Sequence, residues 1–280
     1  MVVGDRAGIA AAARYAALVA VALVLILPVW WLIASSLRPA SDIFRYASEF
    51  GWRTFVPERL TLEHWRAMLA SDMPRAVLNS LFVTITTIAF GTLINSAAGF
   101  AFAVFEFPLK RPLFVLVLLT FMMPFESIVI PLYVLIRALD WTNTWQALIA
   151  PELASGLVIF LFRQFFAAIP REIYEAARVD GAGWWRIYFR LTLPLSGPVV
   201  ATAVLMQFIH QWDAFFWPLV AASTPERVLV QVAIARNMTL ETANWGALFA
   251  SASTAVLLAM VPFLLLQRWY IRTVALGSEK

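Results

Sequence analysis

The sequence predicts an all-α polytopic membrane protein with six transmembrane helices, and three observations carry that prediction. Of 280 residues, 62% are hydrophobic and only 14% are charged, against roughly 25% charged in soluble domains. Mean hydropathy is +0.79. Six stretches, at about 14–36, 76–105, 112–137, 146–166, 198–222 and 246–268, each supply the ~20 apolar residues that a helix needs to cross a hydrocarbon core about 30 Å thick.

The first span follows Arg6 and Arg14 as a secretory signal would, but residues 15–33 carry no charge, longer than the ~7–15 residues of a signal core. With Trp30 and Trp31 at its end as an interfacial belt, it is expected to be retained. The connection 37–75 mixes six arginines with five acids, Asp42, Glu49, Glu58, Glu63 and Asp72. Span two carries Thr84, Thr87, Gly91, Asn95 and Gly99 at steps of three and four, a small-residue face suited to close helix contact, either inside the bundle or against a partner. Pro28, Pro124, Pro131, Pro218 and Pro262 lie inside spans, which membrane helices tolerate where neighbours satisfy the freed carbonyls. Spans and connections account for residues 1–280 as one transmembrane domain, with no room for a soluble catalytic domain.

Charges at depth stand out because an acid there costs about 2.5 to 3.5 kcal/mol even on a lenient scale. Glu126 and Asp213 fall in the outer halves of spans three and five. With Trp212 and Trp217 they are candidates to line a path through the bundle; the alternative is that the two acids are intersubunit or arginine-paired structural groups. Glu152 reads as an interfacial acid, and His210 as a buried, hydrogen-bonded structural residue.

Enzyme chemistry is not expected. A phosphate loop needs Gly-x-x-x-x-Gly-Lys-Ser/Thr so that backbone N–H groups and a lysine cradle phosphates, and the only lysines are Lys110 and Lys280. There is no His-Glu-x-x-His, no Gly-x-Ser-x-Gly and no cysteine, so no metal site, catalytic residue or disulfide is predicted. Nor does any feature point to nucleic acid.

Orientation follows from Lys and Arg in the short connections. With the N-terminus inside, Lys110, Arg111, Arg163, Arg171, Arg178, Arg186, Arg190, Arg268, Arg272 and Lys280 face the cytoplasm with Arg6 and Arg14. The short outer connections then keep only Arg137, Arg227 and Arg236. Both termini, and the charged island 167–197, are expected in the cytoplasm.

Within that island Pro170 suits a helix start, Glu172 and Glu175 suit the positive end of its dipole, and Asp180-Gly181-Ala182-Gly183 breaks it. A second helix is predicted from Trp184 to Leu191, stopped by Pro194. Trp184, Trp185, Ile187 and Tyr188 form an apolar side, with Arg186 and Arg190 opposite. On physical grounds alone such a hairpin also fits an anionic lipid surface.

The spacing Glu175-Ala176-Ala177, three residues, Gly181, nine residues, Leu191, one residue, Leu193-Pro194 resembles the EAA loop of binding-protein-dependent ABC import permeases, departing only by Leu191 for Ile. Arg163-Gln164-Phe165-Phe166, the run from Trp212 to Leu219, and Gln267-Arg268-Trp269-Tyr270 resemble the carbohydrate-uptake, MalG-like branch, over most of the chain. The resemblance implies a type I importer permease fold with the EAA hairpin between helices 4 and 5, in a prokaryotic inner membrane. It implies a MalF-like second permease, two cytoplasmic ATPase subunits holding ATP and Mg, and an extracytoplasmic substrate-binding protein. Glu175, Ala176, Ala177, Asp180, Gly181, Leu191 and Pro194 would form the ATPase-coupling loop. The branch usually has Asn where this chain has Asp213. A sugar or oligosaccharide is the expected cargo; glycerol-3-phosphate or another polyol is the alternative. A secondary transporter would show an internal repeat, and a channel a filter loop or charged ring; neither is evident.

Overall fold

The structure, a computed structural model, describes residues 3–45, 51–238 and 244–277; Glu49, Lys280 and residues 239–243 of the outer connection 223–245 lie outside them. Among the described residues there is no β-strand, and the helices are α1 (Val3–Ser36), α2 (Trp52–Phe55), α3 (Glu63–Ala70), α4 (Met73–Val104), α5 (Lys110–Met122), α6 (Phe125–Ala138), α7 (Trp145–Ile149), α8 (Gly156–Ala167), α9 (Arg171–Val179), α10 (Trp184–Ile187), α11 (Leu193–Leu195), α12 (Gly197–Trp212), α13 (Phe216–Ala221), α14 (Val230–Ala235) and α15 (Trp245–Gly277). Of these, α1, α4 and α15 are long and apolar enough to cross a membrane singly. Three bent pairs complete a count of up to six: α5 with α6, α7 with α8, and the run 184–195 with α12.

The bends correct the reading of spans three to five as continuous helices. Between α5 and α6 the chain turns by 100°, because Pro124 offers no N–H and holds Met123 extended at φ −76°, ψ 125°. Pro131 and Pro262, by contrast, sit inside continuous helices. Span four bends by 41° around a 3-10 turn at Ala150–Glu152, and Ser155 restarts it by accepting from Val158 N. Span five ends at Trp212, with Asp213 as its C-cap, and Phe216–Ala221 forms a separate helix.

Two compact units emerge, residues 1–74 with 234–258, and 75–233 with 259–280. In the first, buried Arg38 donates to the carbonyls of Arg53 and Thr54 at 2.8 and 2.7 Å. Trp65 Nε1 donates to Ser36 Oγ at 3.1 Å. Gly246 admits the ring of His64, whose atoms would lie 2.1–2.4 Å from a Cβ placed there, so His64 is a packing residue.

In the second unit the small face of α4 packs internally. Thr84, Thr87 and Asn95 are buried; a Cβ on Gly91 would meet Gln207 Oε1 at 2.5 Å, and one on Gly99 would meet Phe162 Cβ at 2.6 Å. Asn95 also closes the break in span four, donating to Leu153 O at 3.1 Å and accepting from Ser155 N at 2.9 Å. At the other end of α4, Asn79 donates to the carbonyls of Glu226 and Val228, and Ser80 accepts from Val230 N, which pins the 3-10 turn Pro225–Arg227 and the start of α14.

Candidate functional site

The island 167–197 folds as a hairpin. Helix α9 ends in a Schellman turn: Ala182 N–H reaches Ala177 O at 2.9 Å, Gly181 N–H reaches Arg178 O at 3.0 Å, and Gly181 sits at φ +77°. A Cβ at Gly181 would meet nothing within 4 Å, so backbone conformation alone calls for glycine. Arg178 locks the far side, donating to Ala182 O at 3.1 Å and lying 5.0 Å over the Trp184 ring.

The second arm corrects the expectation that Pro194 stops it near Leu191. It runs on to Leu195 through a π-helical stretch, Tyr188–Thr192. Leu193 N–H bonds back to Tyr188 O, widening the turn ahead of a proline that has no N–H to give. The run then bends by 82° at Ser196 into α12.

An aromatic base holds the hairpin. Tyr174, Ile187 and Tyr188 are buried with Phe100, Phe162 and Phe166. Tyr188 Oη lies 2.7 Å from Ser96 Oγ, and Trp184 meets Phe105 edge-on at 4.9 Å. Burial pushes the Tyr174 phenol above its ordinary value of 10.

What the hairpin presents outward is a mixed face. Glu175, Ala176, Asp180, Gly181 and Pro194 are exposed, Ala177 and Leu191 are half-buried against the base, and Val179 at the tip is 87% exposed. Beside it Glu106 takes Lys110 at 3.0 Å and Arg171 at 4.0 Å. The Lys110 hydrogen bond holds its carboxyl below the ordinary 4.5.

The four path residues separate. Trp212 and Trp217 are packed inside their unit, 3% and 4% exposed. Trp212 stacks on Phe208 at 5.6 Å, and Trp217 Nε1 donates to Ala147 O at 2.9 Å. Both rings are packed within the subunit. Glu126 and Asp213 are exposed; Glu126 lies in the first turn of α6, which its charge favours, and Asp213 caps the C-terminus of α12, which its charge opposes. His210 is not buried: its side chain is 71% exposed, and its Nε2 lies 2.9 Å from Glu152 Oε2. That pair, 58 residues apart in sequence, escapes a reading of each residue alone.

Comparison with known proteins adds the lineage. Residues 95–275 match the model of the binding-protein-dependent transport system inner membrane component. The arabinooligosaccharides transport system permease protein AraQ of Halalkalibacterium halodurans is 30% identical over 262 residues, 93% of each chain. The lactose transport system permease protein LacG of Rhizobium radiobacter is 28% identical over 95% of each. The sn-glycerol-3-phosphate transport system permease protein UgpE of Rhizobium meliloti is 29% identical, covering 89% of this chain and 90% of that one. In fold, the chain superposes with TM-score 0.81 and 18% identity on a chain of a bacterial ABC transporter that imports the acidic polysaccharide alginate, over 96% of this chain and 99% of that one. With a family model matching well over half its length and a relative 30% identical across nearly all of it, this chain belongs to the inner-membrane permease family of binding-protein-dependent ABC importers.

Proposed function

We propose that this chain is one of two permease subunits of an ATP-driven importer of sugars or oligosaccharides, and that the hairpin 171–195 transmits the motion of cytoplasmic ATPase subunits to the membrane helices. The observation that carries the coupling role is the exposed face of α9, with Glu175, Ala176, Asp180 and an 87% exposed Val179 standing on a buried aromatic base. The exposed face mixes Glu172, Glu175 and Asp180 with Arg171, Arg178, Arg186 and Arg190, and its carboxylates suit a polar groove on a soluble protein better than an anionic lipid surface, which would repel them. A rigid base lets a push on the hairpin reach α4, α8 and α12 through Phe100, Phe166 and Val199, which share one packed cluster with it.

The same reading puts both termini and the hairpin in the cytoplasm, with ATP and Mg held by the ATPase subunits and substrate delivered by an extracytoplasmic binding protein. Sugar cargo is favoured by the arabinooligosaccharide and lactose relatives, glycerol-3-phosphate by the UgpE relative. Asp213 stays a path candidate, because an exposed acid at a helix C-terminus has no stabilising role from the dipole.

Gly181→Val tests the coupling role. A β-branched residue at φ +77° is a steric outlier, so the turn must re-form while the spans stay as they are. Membrane insertion should be unchanged and ATPase co-purification and ATP-driven uptake lost; normal uptake would remove the hairpin from the mechanism. Sidedness is checked with Gly183→Cys, a position with open space around its Cβ. An impermeant thiol reagent should reach it only after permeabilisation, and labelling in intact cells would reverse the topology.

A further inference from the structure

Three cations gather in a recess of the second unit. The turn 105–109 joins α4 to α5, and α5 packs on α8, where Phe114 stacks on Phe160 at 6.3 Å. Beside that contact Lys110, Arg111 and Arg163, with Phe102, Phe107 and the one carboxylate of the lining, Glu106, surround a space of about 580 Å³. Lys110 is held there, its Nζ donating to Phe105 O at 2.7 Å and lying 3.0 Å from Glu106 Oε1. The Arg163 guanidinium is set 4.8 Å over the Phe114 ring and donates to Gln164 Oε1 at 2.7 Å, which leaves most of its donors unused among the described residues. Arg111 is exposed, and its side chain takes no hydrogen bond or ion pair among the described residues.

The recess lies where two spans meet the membrane edge. Arg163 stands four residues before the end of α8, between Leu161-Phe162 and Phe165-Phe166, and a long arginine in that position keeps its charge at the polar edge of the bilayer while its stem stays in the apolar part. From the recess along α5, Leu113, Leu116 and Leu119 are exposed at steps of three. Charge above an apolar helix face matches the two ends of a phospholipid. Free phosphate would use the cations and leave that face without a role, and so would a soluble protein, which cannot enter the bilayer beside span three.

We propose that the recess binds the headgroup of an anionic phospholipid, with the phosphate taken by Arg111 and Arg163, Lys110 adding positive charge, and the acyl chains lying along Leu113, Leu116 and Leu119. Arginine suits the role because its planar fork pairs with phosphate oxygens two at a time, and basic pockets between spanning helices are recurrent headgroup sites. Glu106 opposes any anion, but the lining sets three cations against it. A lipid with a net negative charge is therefore favoured over a zwitterionic one, whose amine would cancel the phosphate. Such a site is independent of the cargo and of the hairpin's coupling role.

The test places the complete transporter, with its partner subunits, in phosphatidylcholine nanodiscs containing a trace of phosphatidylglycerol that carries a photoreactive group on one acyl chain near the glycerol. Cross-linked peptides are mapped by mass spectrometry. Label should concentrate on residues 105–119 and 156–167, and should be displaced by unlabelled phosphatidylglycerol but not by phosphatidylethanolamine. Arg111→Gln should cut this labelling about fivefold, as the loss of one cation beside an anionic headgroup predicts, and leave label on α1 unchanged; Glu106→Gln should raise it. Arg163→Lys, which keeps the charge, should retain more label than Arg163→Gln, and if the latter does not assemble the exposed Arg111→Gln decides alone. Labelling that Arg111→Gln leaves unchanged, or that phosphatidylethanolamine displaces equally well, would overturn the site. Displacement by millimolar inorganic phosphate as complete as by phosphatidylglycerol would make it a site for the free anion. Label that reaches the recess only after the ATPase subunits are stripped away would assign the cations to a protein contact, and either result would overturn the lipid.

Discussion

The hairpin and the helix breaks use polar residues in opposite ways. In the hairpin the side chains proposed to couple, Glu175, Ala176 and Asp180, stand in solvent while their supports, Tyr174, Ile187 and Tyr188, are buried. At the breaks, Asn95, Thr87, Gln207 and Gln211 are themselves buried, so there the polar groups belong to the frame. A substitution on the hairpin face should therefore cost coupling and little stability. One at the breaks should cost stability first, because a buried backbone group left without its partner is expensive in a medium that offers no water.

Asn95→Leu probes that contrast most strongly. It strips the partners from Leu153 O and Ser155 N together, and at ~1–3 kcal/mol per orphaned buried group the loss should reach about 2–6 kcal/mol. Thermal unfolding in detergent should show a large fall in melting temperature; a variant as stable as the parent would mean that the break does not depend on α4. Trp217→Phe removes one buried hydrogen bond, Nε1 to Ala147 O, while keeping an aromatic ring in the core. About 0.5–1.5 kcal/mol should go, and a neutral result would show that the indole N–H finds no net gain there.

The two regions also differ in how far the sequence discloses them. The hairpin is written locally: Glu175 to Pro194 lie within twenty residues of one another, and the turn is set by Gly181, whose positive φ any reader can anticipate from the Asp-Gly pair. The π stretch before Pro194 was only half legible: the proline with no N–H to give stands in the sequence, whereas the contact of Tyr188 with Ser96, 92 residues away, does not. The break region is non-local throughout. Glu152 and His210, or Asn95 and Ser155, meet only after folding, and apolar runs through Pro124 and Pro151 read as spans without revealing where they bend. The surroundings of Trp212 and Trp217 are hidden for the same reason: an aromatic beside an intramembrane acid suggests a path, and only folding shows how deeply both rings are packed within the subunit.

Val179→Ser tests the exposed side. At 87% exposure it makes little folded-state contact, so stability should change by no more than about 0.5 kcal/mol. ATPase association, measured by co-purification or by the concentration of ATPase needed for half-maximal uptake, should weaken nonetheless, because the tip loses an apolar group that a partner would bury. Equal association would move the contact away from the tip and onto the Glu175 side of α9.

Glu106→Gln should have the smallest effect. Lys110 holds the Glu106 carboxyl below its ordinary value of 4.5, so any stability it gives is present above that value and is lost as pH falls through the lower, folded one. The group is fully exposed, however, and its partners Lys110 and Arg171 lie in a screened surface cluster. Unfolding curves of Glu106→Gln and the parent should superimpose from neutral pH down through the carboxylate range, at low and high salt alike. A difference that grows as salt is removed and vanishes in acid would show that the 105–110 turn, next to the hairpin base, is held electrostatically, and would blur the division between an exposed face that couples and a buried frame that stabilises.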